Sequence, residues 1–201
     1  MTSQSRRVAR VGVALAVALV VAALVGCAGS KSAAPTAPPQ TTAKAALTAA
    51  MSAVATQAPD GKILVVQTAQ PVTATSTPVW EFLIGSPKTS LIYAVQVQGA
   101  QARAQPYGKA NFTPAEWASV PANDKWKIDS DTALEKALAI YPNGKGAAYL
   151  PGFVTYLPKS AKDTAARPMK WIITFDPASK GSAATSTVDV DVTTGEATLA
   201  K

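Results

Sequence analysis

The stretch VWEFLIG, residues 79–85, decides the fold. In an extended chain Trp80, Phe82 and Ile84 fall on one side and Glu81 on the other, which is the period of a strand with one buried and one wet face. MKWIITFD, residues 169–176, repeats the arrangement with Trp171, Ile173 and Phe175.

Around each of these strands the same order of elements is expected. Before the first, AKAALTAAMSAVATQ (43–57) sets Leu47, Ala50, Met51 and Val54 on one helical stripe, and Pro59, Asp60 and Gly61 end it. KILVVQTAQ (62–70) reads as a strand with Ile63, Val65 and Gln67 on one face. SLIYAVQVQG (90–99) alternates Tyr93, Val95 and Val97 against Ile92, Ala94 and Gln96, with QARAQP as a return arm. Before the second, DTALEKALAIYP (131–142) carries Leu134, Ala137, Leu138 and Tyr141 on a stripe, with Ser130 or Asp129 as N-cap. After it, STVDVDV turns Val188, Val190 and Val192 inward, and Thr193, Thr194 and Gly195 turn the chain so that EATLA pairs back. Leu47, Ala50 and Met51 precede Leu134, Ala137 and Leu138 by 87 positions, and Trp80 precedes Trp171 by 91. The expectation is an α+β fold, a tandem repeat of a helix packed on a three- to four-stranded antiparallel sheet. Its units are 43–105 and 128–201, joined by a connecting segment at 106–127.

Within the connection, Thr113, Pro114 and Glu116 form an N-cap, N1 and N3 set for a short helix. Tyr107, Phe112, Trp117 and Trp126 supply its aromatic character. Two roles are open to them: cement between the units, or a surface for a partner.

The N-terminus fixes location. Arg6, Arg7 and Arg10 precede an uncharged run from Val11 to Val25, too short to span a bilayer comfortably. The only cysteine, Cys27, follows Leu24, Val25 and Gly26. This closely resembles the lipobox of bacterial lipoproteins. The resemblance implies a signal peptide at 1–26, cleavage between Gly26 and Cys27, and a lipid on the Cys27 thiol. Residues 27–42, rich in Ala, Ser, Thr and Pro, then read as a flexible tether. The mature chain is expected at the extracytoplasmic face of the cell envelope, held to the membrane by its lipid.

Removing residues 1–26 takes away three basic residues and no acidic one, leaving a net charge of +4. The lysines are scattered, so nucleic-acid recognition is not expected. Without histidine the usual general base of Ser and Cys hydrolases is missing, and the one cysteine is assigned to lipid. Ser90, Ser160 and Ser179 lie near lysines, but nothing selects a dyad. Asp189 and Asp191 share a strand face, an arrangement better explained as a wet, pairing-resistant surface than as a carboxylate pair. With Asp176 or Glu196 they could meet at a calcium ion only if brought together, and no EF-type loop spacing is present. No enzyme activity, metal or cofactor is expected.

WKIDSDTALEKALA, MKWIITFDP and VDVDVTTGEATLAK together resemble the PepSY family, through Asp131, Ala133, Leu134, Ala137, Val190, Asp191, Thr194, Gly195 and Glu196. The resemblance covers 126–201 best. It implies a PepSY-like or cystatin-like helix-on-sheet unit and an extracytoplasmic accessory domain that modulates envelope proteins. Two functions follow as expectations: a tethered protein-binding or modulatory module, or a carrier of a small apolar or lipidic ligand.

Overall fold

The computed structural model describes residues 41–155, 169–176 and 186–200. In chain order the elements are α1 (Ala43–Val54), β1 (Lys62–Thr68), β2 (Val79–Ser86), β3 (Leu91–Gln98), β4 (Gln101–Lys109), α2 (Pro114–Ser119), α3 (Ser130–Ile140), β5 (Tyr149–Val154), β6 (Lys170–Phe175), β7 (Thr187–Asp191) and β8 (Ala197–Leu199). All eight strands form one antiparallel sheet in the order β4-β3-β2-β1-β5-β6-β7-β8. The fold is α+β, three helices against one large sheet. Where the sequence suggests two sheets of three or four strands, the structure has a single sheet, because β1 pairs with β5 through Val65–Val154, Val66–Phe153 and Gln67–Gly152.

α1 lies over β2, β3 and β4, and α3 over β6, β7 and β8. The face each helix presents shares Ala50, Val54 and Ala137 with the expected stripe and is turned from it elsewhere. Ala43, Ala46, Ala50 and Val54 are buried on α1, and Ser130, Ala133 and Ala137 on α3. Leu47, Met51, Leu134, Leu138 and Tyr141 pack at the margins, half-buried. The sheet supplies the bulk here. Trp80, Phe82, Phe153, Trp171 and Phe175 fill the layer, so small helix residues allow the close approach that dense packing requires. Gly144 shows how tight the fit is: a Cβ there would stand 2.6 Å from the Phe175 ring.

β1 departs from simple alternation. A register shift between Ile63 and Val65 is a bulge at Leu64, and it puts Ile63 with Val66 on the helix side. Val65 and Gln67 therefore face away from the helices. The return arm also runs further than expected, through the PYGK segment to Lys109. A second register shift lies between Ile92 and Tyr93, where Tyr93 pairs with Pro106 and Ile92 with Gly108. Pro106 is tolerated because β4 is the edge of the sheet.

The N-termini of α1 and α3 meet. Asp129 caps α3, its Oδ1 accepting from Ser130 N at 2.7 Å, and the same oxygen accepts from Lys44 N of α1 at 3.0 Å. The Ser130 hydroxyl accepts from Ala43 N at 3.0 Å. Two of the amides that a helix start leaves without partners are thus satisfied by the other helix.

Candidate interaction surface

Gly26 and Cys27, with the signal and most of the tether, lie outside the described residues. The four aromatic candidates do not form one group. Trp126 is 3% exposed, packed edge to face against Phe153 and Trp171 at centroid distances of 4.9 and 5.7 Å. It belongs to the core. Phe112 and Trp117 touch, centroids 5.2 Å apart, and Tyr107 is 46% exposed on β4.

α2 starts as expected. Thr113 accepts from Glu116 N, Glu116 returns a carboxylate to Thr113 N at 2.7 Å, and Pro114 opens the helix. Its far end is held by Lys62, whose Nζ donates to the Trp117 and Val120 carbonyls at 2.9 Å and sits 4.8 Å from the Trp117 ring centroid. A Cβ on Gly85 would approach Leu64 at 3.0 Å and Phe112 at 3.1 Å. Gly85 points opposite to Ile84, so α2 and its aromatic pair cover one corner of the sheet face that α1 and α3 leave open.

The rest of that open face has an apolar middle and polar flanks. Val65, Leu150, Val154 and Ile172 surround a shallow hollow of about 180 Å³ at Gly152, and Ile172 is 45% exposed. On one flank Glu81 accepts from Gln67 and Gln96 at 3.1 and 2.8 Å. On the other, Lys170 pairs with Asp189 at 3.7 Å. Asp191, beside them, accepts from the Thr193 and Thr194 amides at 2.8 Å. The Thr194 amide above all holds the Asp191 carboxyl below its ordinary range; burial opposes it as the next largest influence, and the Thr193 amide, the Thr194 side chain and Lys170 add to the lowering. Both aspartates are engaged in shaping the sheet.

A second cavity, about 130 Å³, opens where the helix N-termini meet and is lined by Thr42, Trp80, Ser130, Asp131, Leu134 and Tyr149 among others. Burial pushes the Tyr149 phenol up. Both hollows are smaller than the 300–1,000 Å³ of a typical small-molecule site. Among the described residues no three His, Cys, Asp or Glu gather as metal ligands, and no helix is long and apolar enough to cross a membrane.

Of the open-face residues, Leu150, Gly152 and Val154 fall in the irregular stretch 149–156, which the sequence leaves open between cement and partner surface, as it does the connecting segment. Ile172 escapes the sequence reading, although it is an apolar residue on the outward phase of KWIITF. No family model matches this chain, and neither does a curated protein or a solved structure.

Proposed function

We propose that this chain is a non-enzymatic, lipid-tethered protein-binding module of the bacterial cell envelope, and that it meets its partner on the open face of the sheet. One observation carries the proposal. An eight-stranded sheet has helices α1 and α3 on one face only, and the other face exposes apolar side chains at its centre, Ile172 foremost. Apolar centres with polar rims are the usual anatomy of protein interfaces. The Phe112–Trp117 pair would extend the surface at one end. In its favour beside the carrier reading, neither hollow described above reaches the volume of a typical small-molecule site.

The module is further proposed to be a tandem repeat, α1 with β1–β4 and α3 with β5–β8, related to the PepSY family. In its favour, the Trp80 indole donates to Thr41 O and the Trp171 indole to Ile128 O. Each acceptor stands one residue before the N-cap of a helix, and the spacings of 87 and 91 residues are those of the sequence repeat.

The test is in-cell cross-linking from a photoreactive residue at Ile172, with exposed Ser52 on α1 as the control position. A discrete protein captured at Ile172 and absent at Ser52 is expected. Lipid alone at Ile172 would favour the carrier reading, and equal capture at both positions would remove the open face from consideration.

A further inference from the structure

We infer that the β3–β4 edge of the sheet is the side this protein turns toward an anionic lipid surface. Residues 82–115 contain Lys88, Arg103 and Lys109 and no acidic residue. All three are exposed, and none is in an ion pair among the described residues. Tyr107, 46% exposed, stands between Arg103 and Lys109, and a tyrosine beside cations is the composition that settles at headgroup level. Carboxylates stand only at the margins of this run: Glu81 and Glu116 bound it in sequence, and Asp60 accepts from the Ser86 hydroxyl and the Lys88 amide.

The far edge mixes both signs: residues 186–200 carry Asp189, Asp191 and Glu196, with Lys170 paired to Asp189 at 3.7 Å and Lys136 beside Gly195. Charge on an edge strand also discourages sheet-to-sheet pairing, but either sign does that, and Pro106 with its neighbouring register shift already blunts β4. Pairing avoidance gives no reason for a run of one sign on β3–β4 where the far edge mixes both. A charged lipid surface does.

Magnitude decides what the edge can do. Each cation at an anionic leaflet contributes roughly a fivefold preference, so three give on the order of a hundredfold. That is too little to gather a protein from dilute solution. It is ample to orient one already held at the surface, so the inference rests on the lipid tether at Cys27 proposed above.

The test uses the full lipidated chain in vesicles of phosphatidylcholine, with or without phosphatidylglycerol. With Cys27 acylated, a cysteine introduced at exposed Gln105 on β4 or exposed Thr198 on β8 is the only free thiol and takes one fluorophore. Quenching by a headgroup spin-labelled lipid should be several-fold stronger at position 105 than at 198 when phosphatidylglycerol is present. The excess should vanish in phosphatidylcholine alone, at about 1 M salt where screening acts within about 3 Å, and in K88E/R103E/K109E. If that triple variant melts early, the salt series on the unaltered charges decides. Equal quenching at the two positions, or an excess that persists without phosphatidylglycerol, overturns the inference. A chain that takes two labels and fails to float with either vesicle overturns the tether instead.

Discussion

Trp80 and Trp171 meet edge to face with ring centroids 6.2 Å apart, and each spends its indole N–H on the residue that leads into a helix. Trp80 donates to Thr41 O at 2.7 Å, Trp171 to Ile128 O at 2.9 Å. The pair therefore joins α1, α3 and both halves of the sheet at one point. Trp80→Phe and Trp171→Phe should each destabilise by about 1–3 kcal/mol through a lost hydrogen bond and lost volume. Trp171, with no exposed surface, should cost more. Denaturant unfolding of both singles and the double should give a coupling of about 0.5–1.5 kcal/mol. Additive effects would mean that the rings pack independently.

Asp129 serves two helices through one oxygen, and Ser130 supports the second link from its hydroxyl. An ordinary N-cap substitution costs about 1 kcal/mol. Asp129→Ala deprives an amide on each helix, so a loss of about 2 kcal/mol is expected, with Asp129→Asn retaining much of it. Ser130→Ala leaves the amide of fully buried Ala43 without its acceptor and should cost about 1–3 kcal/mol. Hydrogen exchange should then report faster opening at the first turn of α1, 87 residues from the substitution. Protection unchanged in α1 would contradict the cross-helix cap.

These contacts also mark the limit of what the sequence discloses. Period-two alternation identifies the strands because each has a single buried face, and Thr113, Pro114 and Glu116 announce α2 because capping is local. The union of two half-sheets could not be read. It depends on three residue pairs between β1 and β5, in strands whose alternation is broken by the Leu64 bulge and by Pro151 and Gly152. The helix faces were legible only in part, at Ala50, Val54 and Ala137, for a related reason: hydrophobic periodicity weighs Leu and Met above Ala, whereas a sheet crowded with Trp and Phe selects the smallest side chains. Trp126 stayed open between cement and surface because its sequence neighbours are polar, and only the tertiary structure brings Phe153 and Trp171 to it. The open face is hardest to read, since Leu150, Gly152 and Val154 lie in the stretch that Pro151 and Gly152 make irregular.

Asp191 should make stability pH-dependent. Its folded carboxyl lies below the ordinary range, chiefly because of the Thr194 amide, so on acidification the unfolded chain takes up the proton first. The contribution is therefore complete above about pH 4 and is lost as the pH falls through the depressed folded value. Asp191→Ala should melt a few degrees lower than the unmodified chain at neutral pH, and the gap should close progressively below about pH 4. A gap that stays constant through acid would assign the turn's stability to the Thr193–Gly195 backbone instead of the carboxylate.

Thr68 offers the opposite sign. It pairs with Trp80 across β1 and β2, is 3% exposed, and its hydroxyl has no hydrogen-bond partner among the described residues. A buried hydroxyl without a partner costs about 1–3 kcal/mol, and valine has nearly the same shape and the same preference for strands. Thr68→Val should therefore raise stability by about 1 kcal/mol, one of the few core changes here expected to do so. Thermal and urea unfolding should agree in direction, with the urea slope unchanged because the exposed area is the same. If Val lowers the melting temperature instead, the hydroxyl has a partner that the packing around Trp80 conceals, and the Trp80–Thr68 neighbourhood holds a polar contact worth locating.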